Sequence, residues 1–254
     1  MFKRTRNLLL GAFAALVFVV PALAQHTSSG EYAISPDKNY RPKAKHTLWY
    51  TLPATAHDGV KQWEEYSLPL GNGQLGASIF GGVKRDEILF NEKTLWSGTS
   101  RDNAGYDDYG HYECFGSVYV EDLSEAFSMD GSRPVRDYHR ELDLSSATAR
   151  VAYASADGGV NFSREYISSY PDKVIVARYK ASRGGALNLR FTMISSVAGD
   201  QGKTTYSGGE AWFGGKLQTI SYNARLKVVP QGGELSADAN GITLKGADEC
   251  LVIL

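Results

Sequence analysis

The run Gly71-Asn72-Gly73-Gln74-Leu75-Gly76 has the G-x-G-x-x-G spacing of a pyrophosphate-binding loop. That chemistry needs a strand before the glycines and a helix opening on them, because free N–H groups at a helix N-terminus hold the phosphates. Here Ser67-Leu68-Pro69-Leu70 precede the glycines, and Ala77-Ser78-Ile79-Phe80-Gly81-Gly82 follow as a short, aromatic, glycine-stopped segment that reads as a strand. Glu92 falls near the ~20-residue offset of a ribose-binding acid, but one matched offset is not a fingerprint. A dinucleotide site is rejected on these mechanics.

Sugar hydrolysis would need two carboxyl groups flanking one glycosidic bond. The adjacent pairs are Glu64 with Glu65, Asp86 with Glu87, Asp107 with Asp108, and Glu121 with Asp122. Neighbouring residues on a strand point to opposite faces, so these pairs are expected to be solvated turn charge. Asn91 and Glu92, just before Thr94-Leu95-Trp96-Ser97-Gly98, suit recognition better. An indole stacks on the apolar face of a sugar while an amide bonds its hydroxyls. The other reading, slightly favoured, makes Trp96 a core anchor and Asn91 and Glu92 caps on backbone groups. With Asn72, these three form the candidate set for substrate binding or domain contact; no catalytic residue is assigned.

Asp137, His139 and Glu141 would share one face of a strand, yet a single histidine points to a surface charge stripe and not to a metal. Cys114 and Cys250 lie 136 residues apart beside apolar neighbours, and are expected to be separate buried thiols. The alternative is a disulfide in an oxidising compartment. No G-x-S-x-G elbow supports a serine hydrolase.

These residues must be positioned by a sheet. Leu187 to Met193 and Ile220 to Val228 alternate apolar and polar, the signature of half-buried strands. Turn signals recur at Ala156-Asp157-Gly158-Gly159, Arg183-Gly184-Gly185, Gly208-Gly209, Gly214-Gly215, Gly232-Gly233 and Asn240-Gly241. The pattern predicts an all-β, antiparallel β-sandwich (supersandwich-like) with few short helices. Trp63 to Tyr66 and Glu121 to Phe127 are the helix candidates.

Lys3, Arg4 and Arg6, the apolar Leu8–Val20 and Ala22-Leu23-Ala24 form a signal peptide over 1–24, its 13-residue apolar run short of the roughly 20 residues of a spanning helix. Cleavage removes three of 27 basic residues against 28 acidic ones, leaving a mature charge of −4. An exported, periplasmic or extracellular chain is expected, with no nucleic-acid or membrane partner. Residues 25–46 read as a leader or linker, and 47–254 as one domain. The final Ala247–Leu254 run is apolar; an exposed strand edge of this kind would aggregate, so a reading frame cut before further sequence is expected.

Leu48-Trp49-Tyr50, Pro53-Ala54, Trp63, Leu68 to Gly73, Leu75 to Ala77, Phe80 to Gly82 and Asn91 to Gly98 resemble, in order and spacing, the N-terminal domain of glycoside hydrolase family 95, the inverting α-L-fucosidases. Tyr138 to Leu144, Arg164 to Tyr166 and Ser169 to Val174 extend the resemblance, which covers about residues 47–254. The resemblance implies a β-sandwich preceding a linker, an (α/α)6 barrel and a C-terminal β domain. The general acid and the water-activating residues would lie in that barrel, so no position here receives them. It implies a fucosylated oligosaccharide or polysaccharide as substrate and no metal or organic cofactor. The missing catalytic barrel would be the partner, with the Gly71–Gly76 turn and the Asn91–Trp96 loop facing it. The alternative is an independent carbohydrate-binding or scaffold β-sandwich module.

Overall fold

The structure, a computed structural model, describes residues 31–57, 59–98, 109–197 and 203–254. The signal peptide, Asp107 and Asp108 lie outside the described residues. β1 (Ile34–Pro36) and β2 (Thr47–Tyr50) lead to a 3-10 turn (Ala54–Ala56) and one turn of helix, α1 (Lys61–Glu64). β3 (Leu68–Gly71), β4 (Leu75–Ile79), β5 (Arg85–Glu92) and β6 (Gly116–Asp122) follow. Next come β7 (Val135–Asp143), β8 (Thr148–Ala154), β9 (Asn161–Ser169), β10 (Val174–Ala181) and β11 (Leu187–Ser195). β12 (Thr205–Ser207), β13 (Glu210–Lys216), β14 (Ser221–Asp238) and β15 (Gly241–Ile253) complete the chain.

The fifteen strands among the described residues belong to one curled sheet, whose main path runs β1-β7-β8-β9-β10-β15-β11-β6-β5-β4-β3. Its pairings are antiparallel except for β1 with β7. The curl brings β3 across β7, β8 and β9, and β4 against β10, closing a sandwich-like interior. The strict alternation of β11 and β14 appears as predicted: Leu187, Leu189, Phe191 and Met193 are buried, as are Ala224, Leu226 and Val228.

The helix expected near Trp63 is α1, but Glu121–Phe127 forms the end of β6 and a turn, where the Asp122 carboxylate accepts the Ser124 N–H (2.6 Å). Gly214-Gly215 and Gly232-Gly233 are not hairpin turns either. The first pair lies within β13, and the second makes a bulge in β14, with φ of 74° and 72°. A side chain on Gly233 would meet the Lys245 carbonyl at 2.5 Å, so the bulge requires glycine there.

Two terminal segments are more built-in than their composition suggests. Within the expected leader, Tyr32, Ala33 and Ile34 are buried. Buried Glu31 accepts N–H groups of Tyr32 (3.0 Å), Val83 (3.0 Å) and Lys84 (2.6 Å) and the Thr55 hydroxyl (2.8 Å). Three apolar residues are too few to show a period, which hid this strand. At the other end, Leu251 to Ile253 lie between β10 and β14, so the apolar run is an interior strand and not an exposed edge. Among the described residues, no helix is long and apolar enough to cross a membrane.

Candidate functional site

Alternation along β5 separates structure from surface. Asp86, Ile88 and Phe90 face inward, while Glu87, Leu89 and Asn91 face outward. Asp86 is fully buried, which corrects its expected place as solvated turn charge; it sits inside a strand and not in a turn. Its Oδ1 accepts the Gly81 and Glu87 N–H groups at 2.9 and 3.0 Å. Its Oδ2 accepts the Tyr166 and Tyr179 hydroxyls at 2.5 and 3.1 Å, with Arg164 Nη1 at 3.4 Å. Arg164 also donates to the Gly82 carbonyl (2.5 Å) and the Tyr153 hydroxyl (2.9 Å). Burial alone would lower the Arg164 pKa, but Tyr153 and Asp86 outweigh it and hold the guanidinium charged. Every oxygen of Asp86 is committed to the scaffold, so it is not a free acid or base.

Asn72 occupies the β3–β4 hairpin tip. Its Oδ1 accepts the Gln74 and Leu75 N–H groups (2.9 and 2.8 Å), and Gly73 takes φ 84°. This is turn chemistry, which explains the glycine spacing without a phosphate. Asn72 Nδ2 donates to the Ser169 carbonyl (2.7 Å), tying the hairpin to the end of β9 in the opposing layer.

On the outer face lies a groove of 650 Å³, within the roughly 300–1,000 Å³ range of small-molecule sites. Ser78, Leu89 and Asn91 contribute to its floor, and Trp63 and Tyr112 contribute aromatic rings. A second hollow lined by Gly71, Gly73 and Glu92 shares Gly76, Asn91 and Tyr112 with it, so the two form one trough. Asn91 Oδ1 accepts the Glu92 N–H (2.9 Å), and Glu92 Oε2 accepts the Thr94 N–H (2.7 Å). Glu92 Oε1 is buried without a partner.

Trp96 does not line the groove. Its Nε1 donates to the Tyr109 carbonyl (2.6 Å), and its ring meets Tyr112 edge-on at 4.8 Å. Leu95, not Trp96, is the buried anchor of this loop. The structure thus brings Asn91 and Glu92 to the trough, sets Asn72 at its hairpin end and makes Trp96 a brace for Tyr112. Sequence reasoning missed Trp63 and Tyr112 as groove residues; their only signal was an aromatic type in a polar context.

The Asp137–Glu141 stripe lies on the outer face of β7, interrupted by a bulge at Asp137 (φ 55°). Tyr40 covers it, stacking on His139 at 3.8 Å and hydrogen-bonding Glu141. Among the described residues, no group of three or more metal-ligating side chains converges. The cysteines are unbonded: Cys250 is buried as expected, whereas Cys114 is exposed, because it lies on the open segment entering β6 and lines the groove.

The curled β-sandwich thus carries a groove edged by the Trp63 and Tyr112 rings. A family model described as "Glycosyl hydrolase family 65, N-terminal domain" matches residues 48–113 and 103–254, and the chain belongs to that family. It is similar to "Alpha-L-fucosidase 2" of Arabidopsis thaliana, 34% identical over 166 residues, covering 54% of this chain and 19% of that protein. It is also similar to "Probable alpha-fucosidase A" of Aspergillus niger, 24% identical over 234 residues, covering 77% of this chain and 28% of that protein. The chain therefore spans less than a third of either relative.

Proposed function

We propose that this chain is the N-terminal β-sandwich domain of an exported, inverting, exo-acting α-L-fucosidase of the glycoside hydrolase family 95 type. The observation that carries this reading is the 34% identity to a protein named for that activity. The scaffold role of the buried carboxylates Asp86 and Glu31 supports placing the chemistry elsewhere in a longer protein. In that protein an acid protonates the leaving oxygen while water attacks the opposite sugar face, with carboxyl groups roughly 6.5–9.5 Å apart. This domain supports or lines the catalytic barrel, and the substrate is a terminal α-L-fucosyl unit of a glycan. The basic, apolar and A-x-A segments of residues 1–24 support export to the periplasm or beyond.

The test compares the 254-residue chain with the product of the uninterrupted genomic reading frame on p-nitrophenyl α-L-fucoside. Expected is turnover by the longer product, releasing β-L-fucose first by NMR, and none by the chain alone. Turnover by the chain, a longer product without fucosidase activity, or a genuine stop after Leu254 would each overturn the proposal.

A further inference from the structure

The residues at the centre of the trough are bare where the fold does not demand it. Gly71 and Gly76 face each other across β3 and β4, and Asn91 lies opposite Gly76 on β5. Neither glycine has a positive φ. A Cβ on Gly76 would meet nothing closer than the Leu70 carbonyl at 3.8 Å, and one on Gly71 would meet the Leu75 carbonyl at 3.5 Å. Both are ordinary contacts, so side chains would fit the backbone but fill the trough. Glycine inside a strand costs stability and commonly marks a place where a ligand or another backbone approaches closely.

The walls complete the picture. Trp63 is 50% exposed and Tyr112 62% exposed, unusual for rings of this size. Trp63 comes from the segment entering β3, whereas Tyr112 comes from the segment entering β6. Among the described residues, the Trp63 indole N–H, the Tyr112 hydroxyl, the Ser78 hydroxyl and Asn91 Nδ2 have no hydrogen-bond partner. The larger part of the trough has no lysine or arginine in its lining, and its one carboxylate, Glu113, is paired with His111 at 3.2 Å. In this larger part, two exposed rings, several free neutral donors and acceptors and no lysine or arginine match an uncharged polyol better than a phosphate or carboxylate ligand; Lys93 lies at the smaller, hairpin end.

We propose that this domain itself holds a subsite for neutral saccharides in the trough, with a pyranose ring lying over Gly76 against Trp63 and Tyr112. Asn91 and Ser78 bond the hydroxyls, and Trp96 holds Tyr112 in place. The inference rests on the carbohydrate-handling class of the reading above, but not on fucose as the sugar.

Cys114 supplies a native reporter, because it lines the same groove while Cys250 is buried with its thiol pushed up to about 12. Iodoacetamide should modify one cysteine per native chain and two in denaturant. Saturating methyl α-L-fucopyranoside, methyl α-D-glucopyranoside or maltotriose, each tried separately, serve as neutral probes, and trigalacturonate serves as the charged control. At least one neutral probe should slow Cys114 alkylation by about threefold or more, with trigalacturonate ineffective. Trp63→Ala and Gly76→Val should each abolish that protection without lowering the melting temperature.

Protection by a glucoside but not a fucoside would uphold the subsite and count against the fucosidase reading. Absence of protection by every neutral probe, or equal protection in both variants, would overturn the subsite. So would stronger protection by trigalacturonate, or a Cys114 already blocked without sugar in the longer product, where the rest of the protein would fill the trough.

Discussion

Replacing Asp86 with alanine is the sharpest test of how this sandwich is held together. Asp86 is fully buried and receives five donors: two backbone N–H groups, two tyrosine hydroxyls and the Arg164 guanidinium. These partners lie on β9, on β10, in the turn before β5 and on β5 itself, so one carboxylate joins both layers. Removing one member of a buried ion pair costs about 3–5 kcal/mol, because the remaining charge stays in a poorly solvating interior. Arg164 keeps the Gly82 and Val83 carbonyls and the Tyr153 hydroxyl, which places the expected loss near 4 kcal/mol and not above that range. That is a large share of the roughly 5–15 kcal/mol typical of a domain. At about 2–4 °C per kcal/mol for a chain of this length, the melting temperature should fall by about 8–16 °C. Asp86→Asn, which keeps one acceptor and the shape, should cost less than alanine. Urea titration followed by tryptophan fluorescence measures both. A loss below about 1 kcal/mol for Asp86→Ala would refute the clamp and mean that water or a rearranged tyrosine replaces it.

Two further perturbations separate local from long-range effects. Asn72→Ala removes two turn hydrogen bonds and the tie to Ser169, and should cost about 1–2 kcal/mol in urea titration. Asn72→Asp keeps the turn acceptor but loses the donor to Ser169, so a cost equal to that of alanine would assign the effect to the interlayer tie. Acid sensitivity should come from exposed turn aspartates. The Asp130 carboxylate accepts the Ser132 N–H and is held down to about 2, and hydrogen bonds lower Asp157 and Asp238 as well. Their stabilising contribution is present above the ordinary value of 3.8 and is lost as pH falls through the lowered ones, so Asp130→Asn should flatten the stability curve between pH 4 and 2. Buried Glu31 acts in the opposite sense: burial raises its pKa, so its contribution is present below the ordinary 4.5 and is lost as pH rises.

Local periodicity made the strands readable. The two-residue alternation of Leu187–Met193 and Ile220–Val228 needs no partner to be seen, and both became half-buried strands. The Gly71–Gly76 segment was legible as a turn, and the structure makes it the β3–β4 hairpin, with the positive φ on Gly73. What stayed hidden depends on partners distant in sequence. Asp86 looks like any charged residue beside Glu87 until Arg164, Tyr166 and Tyr179 surround it from about 80 to 90 residues away. Gly232-Gly233 has the composition of a turn, yet the pairing of β14 with β15 continues past it on both sides, which makes it a bulge. The groove joins Trp63, Gly76, Asn91 and Tyr112 from four segments, and no window of sequence contains them together. Trp96, the most conspicuous aromatic of its loop, supports one of these residues instead of lining the groove.

The two features that sequence did not show are opposite faces of one strand. Alternation in β5 sends Asp86 inward to Arg164, Tyr166 and Tyr179, and sends Leu89 and Asn91 outward to the trough. β4, paired with β5 throughout, contributes Ile79 to the core and the bare Gly76 to the trough. At the hairpin end Asn72 ties the turn to β9, so the trough is anchored through the sandwich at two points. A binding surface built on strands fixed in this way is held more closely than one carried on loops. The buried charge cluster, costly to desolvate and weak as net stabilisation, therefore serves best as a positional device: it fixes where β5 lies, and with it where Asn91 presents its amide. Weakening the clamp with Asp86→Asn should accordingly reduce saccharide protection of Cys114 even at temperatures where the chain stays folded, whereas unchanged protection would separate the two faces of the strand.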